Sequence, residues 1–303
     1  MTFSIVARDP EAGAVGVAVQ SKFVSVGSVV PFAAADAGAV ATQSFANVAY
    51  GPDGLDLLRE GYSAAEVIEQ LTDGDDEAAS RQVGVVGQDG SIAAFTGDDC
   101  FDVAGDLQGD HYTVQGNILA NDETLPAMAD AFEAAEGGLP EKLLAALHAG
   151  NDAGGDSRGE QGAALYVAKP GGGYDGKNDR WIDVRVDDHE RPIDELERVF
   201  KLYDVTLLAR EEPDETRELD GETARAVSET LSELGFYDGE PTGSFGERER
   251  EALEAFRGLN NFENHSLAVV EDALDRGWDD AEGEGEHRLV DAIWHGLSRL
   301  DRK

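Results

Sequence analysis

The stretch that decides the fold is Thr2-Phe3-Ser4-Ile5-Val6-Ala7-Arg8-Asp9-Pro10-Glu11-Ala12-Gly13-Ala14-Val15-Gly16-Val17-Ala18-Val19-Gln20. Two apolar runs, 3–7 and 14–20, flank Asp9-Pro10-Glu11-Ala12-Gly13. Asp, Pro and Gly there supply turn geometry, so the runs predict a hairpin. Neither run alternates apolar with polar residues throughout. Such continuity is expected of strands covered on both faces. A sheet buried on both sides needs further layers, which the rest of the chain must provide.

Residues 28–32 and 38–42 read as a second short strand pair. Helical periodicity follows over 52–60. Ser63-Ala64-Ala65-Glu66 is a capping box that opens another helix running to about residue 71. Residues 82–87 and 91–95 predict a hairpin around Asp89-Gly90, and 112–115 a further strand. Helices are expected at 122–136 and 139–149, strands at 162–168 and 181–186, and a helix at 193–208. Grouped strands and grouped helices fit stacked sheets with helix layers better than a βαβ alternation. After about residue 210 no strand pattern survives. Residues 209–220 read as an acidic linker, and 221–303 as a small all-α domain with helices at 221–235, 247–258, 266–276 and 287–300.

Composition narrows the function. The chain has 303 residues, with 63 acidic against 24 basic side chains and a formal net charge of −39. Nucleic acid is excluded as a partner, because phosphate neutralisation needs clustered Lys and Arg. Anionic lipid is excluded for the same reason. Most of the basic residues are Arg rather than Lys. An acidic, Lys-poor surface suits molar salt, where the Debye length falls to roughly 3 Å. A salt-adapted, cytoplasmic protein is expected. The one cysteine, Cys100, allows no intramolecular disulfide. The first residues carry no basic segment followed by an apolar one, so no signal peptide is expected. No run approaches the ~18 apolar residues of a membrane helix.

Several segments together resemble the domain-of-unknown-function family 1028. They are Thr2 to Pro10, Gln20-Ser21-Lys22-Phe23, Val26-Gly27-Ser28-Val29-Val30-Pro31, Gly38 to Ser44 with Tyr50-Gly51, and Arg81-Gln82-Val83-Gly84. Thr96-Gly97 through Cys100, Gln115-Gly116-Asn117, Gly154 to Gln161 and Asp183 to His189 continue the series. The resemblance covers roughly 1–205. It implies a fold like that of N-terminal nucleophile hydrolases: an α+β, four-layer αββα sandwich over residues 1–208, followed by the small all-α domain. The element order read from the residues agrees with it. The tail, from Val227 to Phe256 with Leu234-Gly235-Phe236-Tyr237-Asp238-Gly239, resembles a peptidoglycan-binding domain, though it is more acidic.

The mechanism class implied is amide hydrolysis by an N-terminal residue. Removal of Met1 would leave Thr2 with its hydroxyl beside its own α-amine. That amine's ordinary pKa of ~7.7–8.0 leaves a neutral fraction to act as base. Ser4 is a weaker nucleophile candidate. Lys22, just past the second strand, is expected to return its ammonium toward Thr2, as a lysine does in the related hydrolases. Asn117 is a candidate oxyanion donor. Ser44, Gln115, Asp156 and Arg158 are candidate substrate-binding residues, Arg158 as a bidentate clamp on a carboxylate. Asp9 is read as a turn residue. No metal or other cofactor is expected, since His111, His148 and Asp187-Asp188-His189 lack ligand spacing. Cys100 is read as a silent thiol. The expected substrate is a small amide, and a homodimer is expected on general grounds. The alternative is a catalytically silent ligand-binding or assembly protein with the same fold.

Overall fold

The structure is a computed structural model of the chain and describes residues 2–101, 103–208 and 213–299. Met1, part of the expected linker and the last four residues lie outside the described residues. Contacts divide the chain into two units, Met1–Arg198 and Val199–Lys303.

In the first unit the chain runs β1 (Thr2–Asp9), β2 (Ala14–Ser21), β3 (Pro31–Ala34), β4 (Gly38–Ser44), α1 (Tyr50–Arg59) and α2 (Ala64–Asp73). It continues through β5 (Arg81–Gly87), β6 (Ile92–Thr96), β7 (Gly105–Gly109), β8 (Tyr112–Asn117), α3 (Thr124–Ala134), α4 (Leu139–Asp152), β9 (Gly162–Ala168) and β10 (Arg180–Val186). The strands form two antiparallel sheets, in the orders β10-β9-β2-β1-β8-β7 and β3-β4-β5-β6. The architecture is α+β.

Strand parity decides what each side chain meets. Val6, Val15, Val17 and Val19 share one apolar cluster with Ala33, Ala39, Ala41 and Val86 of the other sheet. Val40, Val83 and Val85 turn the opposite way, into a cluster with Leu55, Leu58, Val67 and Leu71 of α1 and α2. On the far side of the larger sheet, α4 packs on β1 and β2, and α3 on β7 and β8. Phe3, Ile5 and Ala18 are fully buried, as the unbroken apolar runs require. Each such side chain removed from water contributes ~1.5–3 kcal/mol before chain entropy is subtracted. Gly84 leaves room for the Gln115 side chain of the other sheet, since a β-carbon there would collide with Gln115 Oε1.

The expected capping box is present: the Ser63 hydroxyl accepts from Glu66 N–H and the Glu66 carboxylate accepts from Ser63 N–H. Asp9 closes the first turn by accepting from the N–H groups of Glu11 and Ala12 at 2.9 and 3.1 Å. Two expectations need correction. The strand placed at 28–32 begins only at Pro31, because Val26–Ser28 form a 3-10 turn entered through Ser25 at φ 56°. Strand β7, Gly-Asp-Leu-Gln-Gly, gave no signal because Leu107 is its one apolar side chain and lies exposed.

The second unit is helical, with α6 (Gly221–Glu233), α7 (Glu247–Leu259), α8 (Leu267–Gly277) and α9 (Gly285–Leu297). The division between units falls within a helix, α5 (Pro192–Leu207). Leu231, Leu253, Phe256, Val270, Leu274 and Ile293 form the core of the second unit. Phe256 lies between Phe236 and Phe262, with ring centroids 5.7 and 6.0 Å away. The Arg250 Nε to Glu271 Oε1 contact at 2.8 Å joins α7 to α8. Among the described residues no helix is long and apolar enough to cross a membrane.

Candidate functional site

The hairpin register that pairs Asp9 with Ala14 also pairs Thr2 with Ser21. Strand β8 lies on the other side of β1 and pairs Asn117 with Thr2. Thr2 Oγ1 and Ser21 Oγ are 3.0 Å apart, either able to donate. Both residues line a cavity of about 400 Å³. Phe23, Val26, Val29, Val30 and Phe45 form its apolar wall, and Gln43, Ser44, Arg81 and Arg158 its polar wall.

Backbone strain gathers at this end of the sheets. Ser44, the last residue of β4, has φ 70°, and Ile118, immediately after β8, has φ 51°. Non-glycine residues held there cost of order 1–3 kcal/mol each and concentrate at functional sites. The Cys100 sulfur lies 3.5 Å from Ser44 Oγ and 3.4 Å from the Arg81 carbonyl, and its one S–H serves one of them at a time.

A buried polar network lies behind the cavity, between the sheets. Gln82 Nε2 donates to the carbonyls of Gly105 and Gly116 at 3.0 and 2.8 Å. Carbonyls only accept, so this end of the amide must be nitrogen. Gln82 Oε1 therefore faces the other way and accepts from Gln43 Nε2 at 2.8 Å and Asn117 Nδ2 at 2.9 Å. That bond fixes Asn117 in turn. Its remaining polar atom, Oδ1, is buried without a hydrogen-bond partner.

One of the two Asn117 side-chain N–H groups is given to Gln82, its Oδ1 is an acceptor, and Asn117 is not among the described residues that line the cavity. Gln115 is not among the described residues that line the cavity. It is fully buried, faces the second sheet and donates to the Ser4 carbonyl at 3.2 Å and the Ser4 hydroxyl. Ser4 donates to Gln43 Oε1 at 2.7 Å and lies in the same closed network. Lys22 does not point at Thr2. Its ammonium donates to the Glu160 carbonyl at 2.8 Å and lines a different cavity, with Asp188 and Arg191. One residue past the strand, it has left the face that Ser21 shares with Thr2.

Asp156 is pinned rather than open to a ligand. Its carboxylate is buried and accepts from Lys22 N–H at 2.8 Å, Arg158 N–H at 2.8 Å and Arg158 Nη2 at 3.3 Å. Ser44 and Arg158 do reach the cavity that holds Thr2. The sequence pointed to neither Ser21 nor Arg81 as a site residue. The signal for Ser21 was the turn: a hairpin closed at Asp9 and Ala14 sets residue 21 opposite residue 2.

Arg81 is held by Asp75 at 2.9 Å, by Glu77 at 2.7 Å and by the Phe45 carbonyl. The Arg81 guanidinium, with the Glu77 N–H and the Tyr50 hydroxyl, holds the Asp75 carboxyl well below the usual carboxylate range. Burial and the bond to Asp75 push the Tyr50 hydroxyl up to about 12. Arg81 thus fixes the Phe45 backbone at the cavity mouth. Among the described residues no group of three or more His, Cys, Asp or Glu is arranged to hold a metal ion.

Residues 2–196 match the family model "Family of unknown function (DUF1028)". The chain belongs to that family. As a DUF1028 protein it has a relative of known crystal structure, protein SPO2555 from Silicibacter pomeroyi, also of family DUF1028. The two are 32% identical with a TM-score of 0.61, over 67% of this chain and 89% of that one. Residues 206–294 match a second model, "Putative peptidoglycan binding domain". No functionally curated protein matches this DUF1028 chain.

Proposed function

We propose that the chain is an amidohydrolase whose nucleophile is Thr2, acting from a mature N-terminus from which Met1 has been removed. The observation that carries this reading is the position of the Thr2 hydroxyl, inside the cavity and 3.0 Å from Ser21 Oγ. As first residue, Thr2 would carry its own base. The neutral α-amine takes the hydroxyl proton, and Oγ1 attacks the amide carbonyl carbon. The carbon–nitrogen bond breaks, and the leaving amine takes the proton back from the α-ammonium. Water then cleaves the resulting ester, with the same amine as base, and Thr2 is restored.

In this reading Ser21 orients the Thr2 hydroxyl, and Ser44, facing the same cavity, offers a second hydroxyl. Asn117 Oδ1, a buried acceptor on the strand beside Thr2, suits an α-ammonium better than an oxyanion. The fold proposed for the first unit is the four-layer αββα sandwich. It is supported by the packing of α1 and α2 on the smaller sheet and of α3 and α4 on the larger. The test is a screen of small amides against the wild type and a correctly processed Thr2→Ala variant. Turnover lost on substitution supports the reading, and full turnover without the hydroxyl sinks it.

One observation favours a second reading. The placement of Lys22 leaves Thr2 without the neighbouring ammonium expected to lower its amine pKa. A silent binding protein would need no such cation, and would bind the same ligands in the Thr2→Ala variant as in the wild type without turning them over.

A further inference from the structure

We propose that the cavity at Thr2 takes an uncharged amide that carries one compact apolar group, a short aliphatic chain or an aryl ring. The bond cleaved rests on the amidohydrolase reading, and the recognition chemistry goes beyond it. In a chain of net charge −39, every phenylalanine that the described residues expose stands at or beside this one mouth. Phe23 is 49% exposed, Phe45 55% and Phe101 52%. Phe23 and Phe45 line the cavity, and the Phe101 ring lies 5.7 Å from the Phe45 ring. Exposed apolar side chains scattered singly need no explanation, but rings gathered on a concave site mark a surface that a ligand covers.

The backbone that carries the rings is fixed. The Phe45 N–H donates to the Ser80 carbonyl at 3.3 Å, and the Phe45 carbonyl accepts from Arg81. Two residues past Phe23, the Ser25 N–H donates to the Asp187 carbonyl at 2.9 Å. Rings held this way bind a ligand at less ordering cost than rings on a mobile loop. Val26 and Val30 are buried and continue the apolar wall inward with Val29.

The charges on the lining are matched within the protein. No Asp or Glu is among the described residues that line the cavity. Arg81 is paired with Asp75 and Glu77, and Arg158 with Asp156. A charged ligand group would leave water for an apolar wall and cations that already have carboxylate partners, which costs more than it returns. A neutral amide suits the hydroxyls of Thr2 and Ser44, which both donate and accept. A volume of about 400 Å³ is near the lower end of ligand pockets. It suits a ring or a short chain rather than a long peptide.

The test uses the full chain in molar KCl, with the primary amides from propanamide to octanamide and with phenylacetamide as probes. Affinity is measured by calorimetry, and released ammonia is followed in the same samples. In turnover the carbon–nitrogen bond breaks, ammonia leaves with the proton from the Thr2 α-ammonium, and water frees the acyl group as a carboxylic acid. The expected result is a rise in affinity of about fourfold per methylene over the shorter chains, levelling once the cavity is full. Hexanamide should bind at least about tenfold tighter than ω-aminohexanamide or the monoamide of adipic acid. The rise flattens when Phe23→Ser and Phe45→Ser are combined, and is partly kept when both are changed to Leu. It is unchanged in Tyr174→Ser, which removes an exposed ring from the loop between β9 and β10. A flat series, no binding, equal affinity for the charged analogues, or a full rise in the Ser variant overturns the proposal. So does a Ser variant that passes from dimer to monomer with its affinities unchanged, since the rings then belong to an interface between copies. If the rise is present and no ammonia appears, the recognition proposal stands and the Thr2 hydrolase reading falls. If ammonia appears without the rise, the hydrolase reading stands and this proposal falls.

Discussion

Thr2 and Ser21 hold their hydroxyl oxygens 3.0 Å apart across the first two strands. The contact follows from register, because a hairpin closed at Asp9 and Ala14 makes residues 2 and 21 opposite partners. In the proposed reaction Ser21 orients the Thr2 hydroxyl for attack. Misplacing a reacting group can cost on the order of 100-fold in turnover. Ser21→Ala should therefore lower kcat by up to about that factor with KM little changed. Thr2→Ser should retain activity. Steady-state kinetics on any substrate found for the wild type decides this; an unchanged kcat in Ser21→Ala removes Ser21 from the mechanism.

Much of the fold was legible because it depends on local chemistry. Unbroken apolar runs around Asp9-Pro10 fix a hairpin buried on both faces, and Ser63 with Glu66 fixes a helix start. Strand β7 was not legible, because Gly105–Gly109 has a single apolar side chain and is paired to β8 along its length. The site was legible only in part. Thr2, Ser44 and Arg158 carry side chains whose chemistry suggested a ligand, and they do share a cavity. Lys22, Asn117 and Gln115 carried equally suggestive side chains. Their bonding depends on which face of a strand they occupy and on partners 35 to 138 residues away in sequence: Gln82 for Asn117, Ser4 for Gln115 and Glu160 for Lys22. Sequence alone does not place those neighbours.

Asp75 should govern the acid limb of stability. Its carboxyl is depressed in the folded chain, chiefly by Arg81. Its contribution is therefore fully present above the unfolded carboxylate pKa of ~3.9 and is lost as pH falls toward the folded value. Both side chains are 11% exposed, so Asp75→Asn leaves a largely buried guanidinium short of its partner. A loss of about 3 kcal/mol at neutral pH is expected. Guanidinium unfolding between pH 7 and pH 3 checks both points: the variant should be less stable at pH 7 and should lose less on acidification than the wild type.

His148 acts in the other direction. Its Nε2 lies 2.9 Å from Glu197 Oε2, and that bond raises its pKa. A raised folded pKa contributes stability below the unfolded value of ~6.5, which is lost as pH rises through the folded one. His148→Gln should flatten the stability profile on the alkaline side of about pH 6.5 and leave the acid limb unchanged. Thermal unfolding from pH 5.5 to pH 9 measures this; a variant with the wild-type slope removes the assignment.

A net charge of −39 predicts strong salt dependence. At 0.1 M salt the Debye length is about 10 Å and neighbouring surface carboxylates repel; near 1 M it is about 3 Å. The Tm should rise steadily with KCl up to molar concentrations, and circular dichroism should show loss of structure at 50 mM. An unchanged fold and Tm at 50 mM would contradict salt adaptation.

The central claim is that Thr2 serves as the first residue of the working protein. Mass spectrometry of the N-terminal peptide of the native protein tests it most directly. The account predicts a peptide that begins at Thr2 with a free α-amine. A peptide that still carries Met1 would contradict it.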